Sequence, residues 1–150
     1  MGRVVMVEAK IFILYGAANK GKSTTLNTLF NQICWKFSKF LVFFERHGNG
    51  LDFVAVFDHE GQRIGFYSSG DNEYEVRRNL YKLYSHNCDF IFGTSRTRGG
   101  SCDAVGCYAE LLHGDVNIIN WCEKFEPTDE DNERAVKELF KSFKNIINEL

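Results

Sequence analysis

Apolar residues along this chain follow two rhythms. Lys10–Tyr15, KIFILY, is a run of strand length in which every residue after the lysine is apolar, as in a parallel strand covered on both faces. Beyond a short polar stretch, Leu26, Leu29, Phe30 and Ile33 recur at i, i+3, i+4 and i+7, the stripe of an amphipathic helix. Phe40–Glu45 (FLVFFE) and Leu51–Asp58 (LDFVAVFD) predict two more strands. The HEGQ that follows, with Gly61, predicts a hairpin into a further strand at Arg63–Ser69 (RIGFYSS).

The second half keeps the alternation. Val76, Leu80, Leu83 and Tyr84 share one helical face, with Asn72 as the cap and Glu75 three residues on. Cys88–Ser95 (CDFIFGTS) predicts a strand. Ser101 opens a helix that turns Ala104, Val105, Tyr108, Leu111 and Leu112 inward and ends at Gly114. Val116–Lys124 (VNIINWCEK) predicts the last strand. After Pro127, Thr128 caps a final helix with Asp131 three residues on, and Val136, Leu139, Phe140, Phe143, Ile146, Ile147 and Leu150 repeat along it. Strands alternating with helices, interrupted by one hairpin, predict a three-layer α/β/α sandwich. Its sheet is mostly parallel with one antiparallel hairpin strand, in a single domain spanning residues 1–150.

Composition narrows the partners. At 44% hydrophobic and 25% charged residues, with a net charge of −2, the chain has the balance of a globular domain rather than a disordered one. It lacks the basic excess of a protein that grips nucleic acid by its phosphates. The five cysteines are scattered without CxxC pairs, which points to neither a disulfide framework nor a zinc site and favours a reducing cytoplasm. Cys102 and Cys107 read as buried structural thiols, and His47, His59, His86 and His113 as loop residues without metal spacing. No apolar run has the length of a membrane span.

The polar stretch between the first strand and the first helix carries the chemistry. Gly16-Ala17-Ala18-Asn19-Lys20-Gly21-Lys22-Ser23 fits G-x-x-x-x-G-K-[ST] without a mismatch, in the strand–loop–helix setting the motif requires. It resembles the Walker A loop of P-loop nucleoside triphosphatases. The resemblance implies the P-loop NTPase fold and a loop, Gly16 to Ser23 with Thr24, whose backbone N–H groups cradle phosphate at a helix N-terminus. Lys22 would then reach the β- and γ-phosphates, and Ser23 would be a ligand of Mg2+.

A second metal carboxylate has two candidates. Asp71 follows RIGFYSSG at a strand end, whereas Asp58 ends the hairpin partner and should lie at the opposite rim, so Asp71 is preferred. The loop GTSRTRGGS offers Arg96 and Arg98 at the same rim, to clamp a transferring phosphoryl group, hold an anionic second substrate, or serve a neighbouring subunit. The chain has no N-K-x-D to read guanine and no L-S-G-G-Q of transporter ATPases. The expectation is Mg2+-dependent binding of a nucleoside triphosphate, ATP rather than GTP, with hydrolysis or phosphoryl transfer. The alternative is a nucleotide-binding switch or assembly subunit whose self-association or protein partner governs slow hydrolysis.

Overall fold

The computed structural model describes residues 8–47 and 50–148. Six strands form one mixed sheet in the order β2-β3-β4-β5-β1-β6, where β1 is Ile11–Tyr15, β2 Leu41–Arg46, β3 Phe53–His59, β4 Gln62–Tyr67, β5 Phe90–Ser95 and β6 Ile119–Glu123. β1 pairs in parallel with both β5 and β6, and β4 pairs in parallel with β5. β3 runs antiparallel to both β2 and β4. It is therefore the one reversed strand, as the hairpin pattern implied. The reversal is made by Glu60 and Gly61, both at positive φ (53° and 87°), the two-residue geometry whose twist matches that of the flanking strands.

Four helices cover the sheet: α1 Lys22–Phe37, α2 Glu73–Ser85, α3 Gly100–His113 and α4 Asp129–Ile146. Strand residues alternate faces, and the alternation sorts them by chemistry. Phe12, Phe53, Phe57, Phe66, Phe90 and Phe92 pack with α1 and α4. Ile11, Ile13, Val54, Val56 and Ile91 pack with α2 and α3. The aromatic face is interlocked: Phe92 stacks on Phe12 at 4.6 Å and on Phe66 at 5.0 Å, and Phe143 of α4 meets Phe57, Phe66 and Phe92 at 6.0, 5.9 and 6.3 Å. Such contacts add to the burial of the rings themselves.

Helix starts follow the expected caps. Asn72 accepts from the Glu75 N–H at 2.8 Å and Thr128 from the Asp131 N–H at 3.2 Å. Several sequence expectations shift. The last strand begins three residues late, because Asp115 accepts from the Asn117 N–H at 2.8 Å and winds Val116–Ile118 into a 3-10 turn. Phe40 likewise closes a 3-10 turn, Ser38–Phe40, ahead of β2. Tyr84 and Leu111 do not face the core, being 50% and 70% exposed, since each sits at the margin of its helix stripe. Leu150 lies outside the described residues.

The aromatic face should carry most of the packing energy. Phe92→Ala is expected to cost about 3–5 kcal/mol in denaturant unfolding, whereas Leu111→Ser should change stability by less than about 0.5 kcal/mol. Comparable midpoints for the two variants would contradict this assignment of the core.

Candidate functional site

The parallel strands β1, β4 and β5 all deliver their carboxyl ends to one rim. There the Gly16 N–H donates to the Ser95 carbonyl at 3.2 Å, and the Tyr15 carbonyl accepts from the Lys124 N–H at 2.8 Å. The loop thus leaves β1 anchored on both sides. It closes through Asn19 and Gly21, both at positive φ (62° and 82°), a conformation costly for most side chains at the second position, where glycine adopts it freely.

The loop turns at Ala18–Asn19, and from Gly21 to Thr24 no backbone N–H finds a protein acceptor among the described residues; the first helical bond is Thr25 N–H to the Gly21 carbonyl, at 2.9 Å. α1 also has no side-chain cap and no acid in its first turn, whereas α2 and α4 have both. A helix N-terminus left this way carries unpaired donors and a partial positive charge.

Lys22, in the first turn of α1, folds back onto the loop. Its ammonium donates to the carbonyls of Gly16 at 2.6 Å and Ala17 at 3.2 Å, and lies 3.8 Å from Asp71 Oδ1. Burial lowers its pKa; Asp71 opposes that shift and Arg96 adds to it. Arg96 Nε is itself 3.8 Å from the same Asp71 oxygen. The structure thus gathers two cations and one carboxylate from α1, β5 and the end of β4 around the loop.

The segment carrying Asp71 is held by hydroxyls. The Ser68 carbonyl accepts from Ser23 Oγ at 3.3 Å and from Thr94 Oγ1 at 2.9 Å. Ser69 Oγ donates to Glu75 Oε2 at 2.6 Å, and the Ser69 carbonyl accepts from Asn79 Nδ2 at 3.0 Å. Gly70 cannot be replaced without displacement, because a Cβ there would lie 2.2 Å from the Thr94 carbonyl oxygen. On the β5 side, Ser101 Oγ accepts from the Arg96 N–H at 3.0 Å and so shapes the turn into α3.

The opposite wall was invisible in the sequence. Lys124, at the end of β6, is fully buried and its ammonium meets Asp131 Oδ2 at 2.9 Å and the Glu126 carbonyl. The same carboxyl accepts from Arg134 Nε at 2.8 Å and from the N–H groups of Phe125 and Glu126 at 2.8 and 3.0 Å. Burial alone would raise the Asp131 pKa, but bonds from Arg134, Lys124 and the two amides hold it well below the usual carboxylate range. One carboxylate therefore organises the whole β6–α4 connection. That connection touches the loop: the Lys124 carbonyl oxygen lies 2.8 Å from where a Cβ on Gly16 would stand. Asn132 Oδ1 accepts from Thr25 Oγ1 at 3.3 Å.

Among the residues singled out in the sequence, Lys22, Ser23, Asp71 and Arg96 come together. Asp58 does not: it sits at the far rim, bonded to Arg63 Nε at 3.1 Å and the Gly61 N–H at 3.1 Å. Arg98 is exposed and makes no side-chain hydrogen bond or ion pair among the described residues. Cys107 is exposed and Cys102 half-buried, so neither is the buried thiol expected from its helix position. No cluster of three or more His, Cys, Asp or Glu suited to a metal occurs among the described residues, and no helix among them is long and apolar enough to cross a membrane. Comparison of the chain with family models, curated proteins and solved structures returns no match.

Asp131→Asn should strip a buried lysine of its counter-charge and lower stability at pH 7 by about 3 kcal/mol. The folded-state pKa of Asp131 is depressed, so its contribution is present above the ordinary aspartate value of about 4 and fades as pH falls below it. Wild type and variant should therefore converge in acid. Urea midpoints measured from pH 7 down to pH 3 check this, and a constant gap would refute it.

Proposed function

We propose that this chain is a P-loop nucleoside triphosphate-binding protein that hydrolyses ATP or transfers its terminal phosphoryl group. The observation that supports this most is the uncapped start of α1, where the N–H groups of Gly21 to Thr24 are unpaired among the described residues and the Lys22 ammonium turns back onto the Gly16 and Ala17 carbonyls of the same loop. Unpaired amides at a helix N-terminus suit an anion with several acceptor oxygens.

Lys22 would exchange the carbonyls of Gly16 and Ala17 for phosphate oxygens, trading two neutral acceptors for charged ones. Arg96 would place its planar fork on the transferring group, where negative charge develops. The Ser23 hydroxyl and the Asp71 carboxylate are hard oxygen donors of the kind Mg2+ prefers, and Mg2+ usually takes few protein ligands beside the phosphates, so the absence of a larger acidic cluster among the described residues fits. Bound there, the ion would neutralise charge on the phosphate oxygens. Ser23 Oγ would leave the Ser68 carbonyl to serve it. With no N-K-x-D in the chain, ATP is favoured over GTP.

A second reading has one observation behind it. Arg98 is exposed and unpaired among the described residues, the position of a side chain offered to a neighbouring molecule. In that reading the protein is a switch or assembly subunit whose hydrolysis depends on a partner's arginine. Turnover proportional to protein concentration supports the self-sufficient enzyme, and a steeper dependence supports assembly.

A thermal-shift panel of nucleoside tri- and diphosphates, with and without Mg2+, tests the binding. A ligand at a hundred times its dissociation constant should add ~2.7 kcal/mol to the folded state, and Lys22→Ala should lose most of that gain while keeping its fold. No shift with any nucleotide would end the proposal. In turnover assays Asp71→Asn should impair Mg2+-dependent activity more than Asp58→Asn. Arg96→Ala should lower turnover about ten-fold or more with little change in triphosphate affinity, and Arg96→Lys should recover part of it. Equal activity of Arg96→Ala and wild type would remove that arginine from the reaction.

A further inference from the structure

Away from the loop, the C-terminal half of α1 and the C-terminal half of α4 leave a trough between them. Trp35 of α1 is 91% exposed on its edge, an unusual position for the largest apolar side chain. Two hollows of about 430 and 460 Å³ share Gln32 and Phe140, so they form one continuous depression with an aromatic floor. Lys36 lines one, Lys137, Lys141 and Lys144 line the other, and no carboxylate lines either. None of these four lysines belongs to an ion pair among the described residues. Lys144 Nζ lies 5.4 Å from the Phe140 ring centroid and Lys36 Nζ 5.5 Å from that of Phe37, so their stems cover aromatic surface.

Helix dipoles account for Lys36 and Lys144, each in the last turn of its own helix. They do not account for Lys137 and Lys141, for the bare tryptophan, or for the hollow between the helices. The chain as a whole carries a net charge of −2, so this positive trough is a local segregation of charge.

We propose that the trough binds an acidic segment of a partner protein that carries an apolar anchor. The anchor fills the hollow against Trp35 and Phe140, the kind of central aromatic contact that dominates interface energetics. The carboxylates of the segment meet the lysines around it and set its orientation and salt dependence. The segment must be short. Along the same seam a third hollow, which shares Gln32 and Lys137 with the trough, is lined on its far side by Asp129 and Glu133, Glu133 lying one helical turn from Lys137. A long polyanion, such as a nucleic acid strand or an anionic bilayer, would run onto those acids, whereas a short acidic segment ends before them.

Fluorescence anisotropy with labelled probes tests this on the full chain, alongside Trp35 emission in a Trp121→Phe background. The probes are an acidic amphipathic peptide carrying leucines at helical spacing, oligoglutamate of equal length, its lysine counterpart, a single-stranded oligonucleotide and phosphatidylserine vesicles. The acidic amphipathic peptide should bind and shift Trp35 emission to the blue. Its affinity should fall about ten-fold or more in Trp35→Ala and, separately, in the double variant Lys137→Glu, Lys141→Glu, and should weaken as salt rises. Thermal unfolding of both variants should match wild type, since none of the three positions is buried. Failure of the amphipathic peptide to bind overturns the proposal, as does oligoglutamate binding equally well, which would make the anchor irrelevant. Tighter, lysine-dependent binding of the oligonucleotide or the vesicles would overturn it in favour of that class. Self-association abolished by Trp35→Ala would overturn it in favour of a second copy.

Discussion

Everything at the candidate site depends on β1 being hydrogen-bonded in parallel on both sides. A strand flanked this way cannot change register or direction without breaking two ladders, and it obliges β5 and β6 to end where it ends. β4, parallel to β5, is brought to the same rim one strand further out. The Gly16–Ser23 loop, Asp71, Arg96 and the β6–α4 connection therefore converge although they are far apart in sequence. Open α/β sheets place ligands outside the carboxyl ends of their strands for this reason. Ser68, Ser69, Thr94, Ser95 and Ser101 are all buried at this rim, and the bonds made by Ser68, Ser69, Thr94 and Ser101 tie the strand ends to one another and to the helices that follow.

Much of this arrangement was legible in the sequence, because local chemistry and global topology agreed. The spacing of Gly16, Gly21, Lys22 and Ser23 between an apolar run and a helical stripe located the loop. The choice of Asp71 over Asp58 needed only the inference that a hairpin reverses one strand, and Glu60 and Gly61 make that reversal. Caps at Asn72 and Thr128 followed from side-chain oxygens three residues ahead of an amide. The errors lay where context overrides pattern. Tyr84 and Leu111 satisfy a helical stripe but sit at its border, where half or more of the side chain stays open to solvent. Val116–Ile118 has strand composition, yet Asp115 wins it for a 3-10 turn.

The far wall of the site was not legible at all. Lys124 looked like the polar end of a strand, and nothing local marks it as a buried cation. Its partner, Asp131, looked like the acid three residues after the Thr128 cap. Only the tertiary fold reveals that Asp131 collects Lys124, Arg134 and two backbone amides. All of these partners lie within seven residues of Asp131, but they meet only because the chain turns between β6 and α4, and no spacing rule marks that turn. The trough beside Trp35 was hidden for a related reason: its residues come from two helices, each of which read as ordinary.

The division of the core into an aromatic and an aliphatic face has a mechanical corollary. α1 and α4 rest on interlocked rings, whose flat surfaces and fixed stacking distances resist sliding. α2 and α3 rest on isoleucine and valine side chains of the strands, with Tyr67 buried among them. They are also coupled, since Gly100 of α3 approaches Glu73 of α2 so closely that a Cβ there would lie 2.8 Å from the glutamate Cβ. The Gly16–Ser23 loop thus leads into a helix seated on the ring face. Asp71 and Arg96 precede the N-terminal ends of α2 and α3, so one helix pair frames the loop and the other frames the two charges that face it.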